Sequence, residues 1–277
     1  MAIKDILVHI DGTRASANRL TTALNMARIH DAHLTGLYVI PHYAIPPYAE
    51  VQIGAEILAA QREAGMQQAR RLEKTFQEIL EGSGVSYEWR AVEGDLVNCL
   101  TLHGRYVDLV VVGQADSDDP ESVDAATTDH MVLEVGRPVL FVPYIGAPKV
   151  VGEHIMVAWN ATREAVRAVA DAMPLLQRAR RVEVVSVNPP RGSAGEGDVP
   201  GADICLHLAR HGVRAEAHQI VVSDIDVGNL LLSRAADEEV DLMVMGAYGH
   251  SRFRELVFGG ATRHLLDHMT VPVLMAH

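Results

Sequence analysis

Short, nearly continuous apolar runs alternate with amphipathic stretches along the whole chain. In the first half this pattern predicts strands at 5–10, 34–40, 86–92, 108–113 and 138–142. Helices are predicted between them at 14–30, 50–82, 95–104 and 124–135, with Leu20, Leu24 and Ala27 on one face of the first. The second half repeats the order, with strands at 154–159, 182–187, 214–221, 241–245 and 271–275. Its helices are expected at 162–178, 201–212, 225–238 and 259–268. Asp95 and Asp226 open matching helices and read as N-caps. Val/Ile/Leu/Met strands without polar alternation, each followed by a helix, imply a parallel sheet covered on both faces.

Three segment pairs recur in the same order. ILVHIDGT (6–13) matches IMVAWNAT (155–162), DLVVVGQA (108–115) matches DLMVMGAY (241–248), and RPVLFVP (137–143) matches VPVLMAH (271–277). The offsets are 149, 133 and 134 residues, too long for a solenoid and right for a duplicated domain. Gly, Pro and lost periodicity near 144–152 mark the linker. The expected class is therefore α/β, with two tandem doubly wound, Rossmann-like domains, 1–147 and 148–277, each built on a five-stranded parallel sheet.

The stretch 241–265 carries the clearest chemistry. An apolar strand ends in Gly246, Gly249 follows, and Gly259-Gly260 come directly before a helical pattern containing Thr262, Leu265 and Leu266. Glycines let backbone N–H groups approach a ligand closely, and a helix start offers free N–H groups with partial positive charge. Strand, glycine turn, basic loop and helix start together describe a phosphate cradle. A Walker A loop is excluded there, because no lysine follows Lys149.

The first copy reads differently. After Gly113 it lacks the second glycine and the Gly-Gly pair, and it carries Asp116, Asp118, Asp119, Glu121, Asp124 and Asp129 instead. No Lys or Arg occurs between Arg105 and Arg137, so phosphates would meet carboxylates at close range. The expectation is a degenerate site in 1–147. The acidic run itself fits no EF-hand spacing and reads as a solvated loop.

Charge sharpens the contrast. The chain's formal net charge is −12, of which residues 1–147 hold −9 and the remainder −3. So acidic a surface argues against nucleic-acid binding. No apolar stretch reaches membrane-spanning length, and the N-terminus does not read as a signal peptide, so a cytoplasmic location is expected. Cys99 and Cys205, far apart and outside any CxxC, read as reduced, buried thiols. The pairs His207/His211 and His264/His268 sit at helical spacing without further ligands, which favours solvated or capping roles over a metal site.

Over essentially its whole length the chain resembles the universal stress protein family in a tandem two-domain form. The ATP-binding branch carries G-x2-G-x9-G-[ST] after its fourth strand. Gly246, Gly249 and Gly259 match it, and Gly260 stands at the Ser/Thr position. The family's Asp after the first strand is Asp11 in the first copy and Asn160 in the second. The resemblance implies ATP or another adenine nucleotide, with or without Mg, bound in the C-terminal domain. Asn160 and Val187 would meet the nucleoside. Gly246, Gly249, His250, Gly259, Gly260, Ala261 and Thr262 would meet the phosphates. It also implies pairing through the last strand of each domain, either within one chain or in a homodimer.

The motif contains no general base, so the expectation is a binding protein with no catalytic residues and at most slow ATP hydrolysis. Nucleotide occupancy would act through conformation or partners. The alternative, from another class, is a nucleotide-free dimeric interaction protein.

Overall fold

The structure is a computed structural model that describes residues 2–41, 55–123, 125–189, 201–223, 225–248 and 260–277. All ten expected strands form: β1 (Asp5–Ile10), β2 (His33–Pro41), β3 (Tyr87–Gly94), β4 (Leu109–Gly113), β5 (Val139–Val142), β6 (His154–Ala158), β7 (Arg181–Val187), β8 (Ala215–Ile220), β9 (Leu242–Gly246) and β10 (Val273–Ala276). The helices of the described residues are α1 (Ser16–His30), α2 (Ala55–Leu80), α3 (Leu96–Gly104), α4 (Ala125–Glu134), α5 (Arg163–Leu176), α6 (Ala202–Arg210), α7 (Val227–Asp237) and α8 (Gly260–His268). Bounds differ from the sequence expectation by a residue or two, as fraying ends do, except at the start of α2, where residues 50–54 of the expected helix lie outside the described residues.

Continuous apolar runs become strands buried on both sides. In β1, Ile6, Val8 and Ile10 join a core shared with α1, α2, α5 and α6, while Leu7 joins one shared with α3, α4, α7 and α8. This is the doubly covered parallel sheet that the pattern implies. The helix starts follow from local chemistry. Asp95 accepts from Asn98 N–H at 3.0 Å, and Asp226 accepts from Gly228 and Asn229 N–H at 2.9 and 3.3 Å. Cys99 and Cys205 are half-buried free thiols rather than fully buried ones, because each lies on a helix flank at the margin of the core.

All ten strands form one sheet, in the order β3-β2-β1-β4-β5-β10-β9-β6-β7-β8. Each half is parallel, and its strand order reverses between β1 and β4 or between β6 and β9. Crevices beyond the C-terminal strand ends at these switch points are where such sheets hold ligands. The halves meet antiparallel through β5 and β10, with Val273 opposite Phe141 and Met275 opposite Val139. The last strands therefore pair within the chain.

A carboxylate lies at the centre of a charged cluster in the second half. Glu183 on β7 is completely buried and is ringed by Arg181 at 2.5 Å, Arg234 at 2.8 Å and His154 at 3.2 Å. Removing Glu183 leaves the largely buried Arg234 and His154 without their buried acceptor, while Arg181 can turn to water. Glu183→Ala is expected to lower unfolding stability by about 3 kcal/mol, measured in urea; a loss no larger than that of an exposed Glu216→Ala control would refute the assignment.

Candidate functional site

The second switch point is assembled from three chain segments. β6 ends at Ala158, and Asn160 follows in an Asx-type turn whose Oδ1 accepts from Thr162 N–H at 3.2 Å and Thr162 Oγ1 at 2.9 Å. Thr162 in turn caps α5 by accepting from Ala165 N–H at 3.3 Å. This places the first turn of α5 against the end of β9, and it explains Gly246. A Cβ there would collide with the Ala165 nitrogen and lie 2.5 Å from the Glu164 carbonyl carbon, backbone atoms that cannot step aside. Glu164 is buried; one carboxylate oxygen bonds Arg163 Nε at 2.7 Å and the other has no hydrogen-bond partner.

Beyond Gly246 the chain turns sharply. Ala247 N–H donates to Ala276 O at 2.9 Å, and Tyr248 adopts the left-handed conformation at φ 57°. Its N–H points to Thr262 Oγ1 at 3.5 Å, which brings the turn to the start of α8. That helix begins at Gly260, where an added Cβ would meet nothing within 4 Å among the described residues. Thr262 is buried, Ala261 is half-buried, and Val187 closes β7 opposite Ile220. The structure thus brings Gly246 together with Thr262 on α8, and Asn160 lies on the adjoining turn. Gly249, His250 and Gly259 lie outside the described residues.

The first switch point is filled by its own side chains. Asp11 makes the same turn as Asn160, accepting from Thr13 N–H at 3.1 Å, but its second oxygen pairs with Arg19 Nη2 at 2.7 Å. Arg19 is buried, donates through Nε to His9 O at 2.7 Å, and lies across Gly113, where any Cβ would strike its guanidinium. The repeat places Ala168 at the position of Arg19 in the second half. The acidic segment is solvated in part, as the sequence suggested, with Asp118 and Glu121 exposed, but some of its carboxylates reach the protein. Asp119 accepts from Arg14 N–H at 3.0 Å, and Glu121 Oε2 lies 2.8 Å from where a Gly12 Cβ would stand. Asp119 thus finds a backbone donor just ahead of α1, which draws this part of the loop toward the domain. Asp129 is buried outright and accepts from the Tyr248 hydroxyl. A cavity of about 10 Å³, roughly the space of one water, lies among His9, Asp11, Arg19, Gln114 and Asp119, and a larger one of about 170 Å³ opens between α1 and α2 beside Asp11, Gly12 and Thr13.

Burial and charge set the protonation of this cluster. Burial alone would raise the Asp11 carboxyl, but Arg19, His9 and the Thr13 hydroxyl hold it at about 2. Burial pushes His9 down to about 4, with Asp11 opposing and Arg19 assisting. Arg19, Tyr248 and the inward role of Asp129 are not visible in the motif. Only aligning the two repeats, Arg19 against Ala168 and Ala115 against Tyr248, marks the first two positions.

Fold and site together define a tandem α/β protein whose two switch points differ, one with an arginine lying across the strand end and one ending in a glycine turn at a helix start. The Universal stress protein family model matches residues 2–143 and again 152–277. The chain belongs to the universal stress protein family, in its tandem two-domain form, as the sequence resemblance implied. A universal stress protein from Archaeoglobus fulgidus DSM 4304 has the same fold at TM-score 0.76 and 13% identity, over 98% of this chain and 95% of that one. A curated universal stress protein of Synechocystis sp. is 50% identical over 38 residues, which is 14% of this chain and 13% of that protein's length. A further universal stress protein, solved in complex with cAMP, aligns at 20% identity over 52% of this chain and 99% of its own, with TM-score 0.33. No helix of the described residues is long and apolar enough to cross a membrane.

The His9 shift has a definite sign. A buried imidazole that resists protonation leaves the unfolded chain to take the proton first, so stability is full above pH 6.5 and falls toward pH 4. Urea unfolding between those pH values should show a loss on the order of 3 kcal/mol that His9→Gln removes; equal pH slopes in the two proteins would disprove it. His30 is also lowered, mainly by burial, so only the difference between the two proteins reports on His9.

Proposed function

We propose that this chain binds one adenine nucleotide, ATP or a shorter relative, in the domain formed by 148–277 and acts as a stress-response protein through that occupancy. The observation that carries the reading is the contrast between the switch points. The second has a steric need for glycine at Gly246 and open space at the helix start Gly260. Helix N-termini with unpaired amides attract phosphate oxygens. The residues present fit such an anion. Gly246, Gly260, Ala261 and Thr262 offer amides or a hydroxyl, Asn160 faces the nucleoside end, and Val187 supplies main chain at the end of β7. Gly249, His250 and Gly259 complete the set by the family motif. The Glu164 carboxylate opposes an anion, and Arg163 at 2.7 Å offsets it.

In this reading the domain 1–147 has exchanged its ligand for the Arg19–Asp11 pair, and Mg2+ enters as the nucleotide's counter-ion. The protein works in the cytoplasm by presenting a changed surface around α8 to its partners. Chemistry on the nucleotide is at most slow hydrolysis, since Thr262 and Gly260 supply no general base. The intramolecular β5–β10 seam already uses the strands through which a homodimer was expected.

Two variants test this. Titration calorimetry with ATP should show one site per chain, lost in Gly246→Ala, whose folding is checked by circular dichroism. Gly260→Ser restores the family hydroxyl in open space and should tighten binding by about fivefold to tenfold. A wild-type chain that stays empty at millimolar ATP, or a Gly260→Ser variant that binds more weakly, overturns the reading.

A further inference from the structure

Tyr248 lies two residues beyond Gly246, inside the glycine turn, yet its side chain belongs to the other domain. Its hydroxyl donates to Asp129 Oδ1 on α4, a carboxylate only 2% exposed. Burial, and then Asp129 itself, push the Tyr248 phenol far above its ordinary range, so it stays a donor at any physiological pH. Asp129 is raised by burial and relieved by the Tyr248 hydrogen bond and by Arg263. The backbone here is strained, since a bulky residue at φ 57° holds a left-handed conformation that tertiary contacts must impose.

Further contacts fix the same turn. Ala247 N–H donates to Ala276 O, and the His277 ring bonds Ala247 O through Nδ1, both at 2.9 Å. Gln114, just past β4, donates to Asp267 O on α8 at 3.0 Å. The tie is not reciprocal. The repeat puts Ala115 where Tyr248 stands, so the first half has no hydroxyl to offer α8. The helix that would open an anion cradle in the first domain instead supplies a buried acceptor to the cradle of the second.

We propose that Asp129 is a positioning residue in trans between domains: by accepting the Tyr248 hydroxyl it holds the 246–248 turn in its left-handed form against Thr262, and so fixes the start of α8, whose amides and hydroxyl face the phosphate in the nucleotide reading. This rests on the nucleotide reading above for its ligand, but the anchor itself is a property of the ligand-free chain. Asp129 touches no ligand; its hydrogen bond to the turn runs through Tyr248, and Arg263 on α8 lies within electrostatic reach of it. The first domain is thus a structural half of the second domain's site, which explains why an emptied duplicate keeps a buried carboxylate there.

The full-length chain serves for the test, with Tyr248→Phe, Asp129→Leu and Asp129→Asn. In the ligand-free protein, amide exchange of Ala247 and Tyr248 by NMR should accelerate about tenfold or more in the first two variants, while Val244 in β9 is unchanged. ATP affinity should fall about tenfold in each. Asp129→Asn keeps an acceptor and should stay within about threefold of wild type. The double variant Tyr248→Phe/Asp129→Leu should lose no more than either single one. Unchanged exchange at 247 and 248, additive losses, or an Asp129→Asn variant as impaired as Asp129→Leu would each overturn the anchor. A wild-type chain that binds no ATP overturns the nucleotide reading instead, and the anchor then stands or falls on exchange and on non-additivity in urea unfolding.

Discussion

The antiparallel register of β5 against β10 is the constraint on which the other features of this molecule depend. Two edge strands, VLFV and VLMA, are apolar on every residue and would be exposed if the halves were separate. Joining them removes both hazardous edges at once and makes a single ten-stranded sheet. Because the pairing is antiparallel, the two switch points lie on either side of a local two-fold, and α4 is brought beside α8. Without that seam neither the Gln114–Asp267 contact nor the Tyr248–Asp129 bond could exist.

The duplicated switch points show how one geometry tolerates opposite electrostatics. Asp11 and Asn160 make the same turn onto a threonine two residues on, so the local backbone logic survives in both halves. What differs is the group beside it. A carboxylate in the first half draws in Arg19, and the guanidinium then occupies the space above the end of β4. A neutral amide in the second half has no such pull, and Ala168 supplies no cation. One substitution in the turn and one a helical turn or two onward therefore decide whether a guanidinium lies over the end of the strand. The buried pair is worth having only because it is complete: His9, Ser16 and Thr13 satisfy its remaining polar atoms.

Strand positions and the doubly wound order were legible in the sequence because strands buried on both faces need nearly continuous apolar runs: LVVVG and VLFV have no polar interruption, and ILVHI has only His9. The caps Asp95 and Asp226 were legible for a similarly local reason. Gly246 could be marked as special from its motif, although its cause, the backbone of Ala165 pressing on it, could not. Interactions between distant residues left no local trace. The Tyr248–Asp129 bond spans 119 residues, and the acidic run that contains Asp129 looks like any solvated loop until α4 meets its partner domain. Arg19 sits on a helix whose face pattern is otherwise ordinary, so its inward turn across Gly113 depends on where β4 runs.

Arg19 has one more consequence. A tethered guanidinium is present at the same effective concentration in every metabolic state of the cell, whereas a diffusible anion is not. The half that carries Arg19 can therefore hold its shape under starvation and plenty alike, and on the nucleotide reading only the other half has a folding equilibrium that rises and falls with supply. The chain would then couple a constant reference arm to a responsive one, and their shared sheet is the beam on which the two are compared.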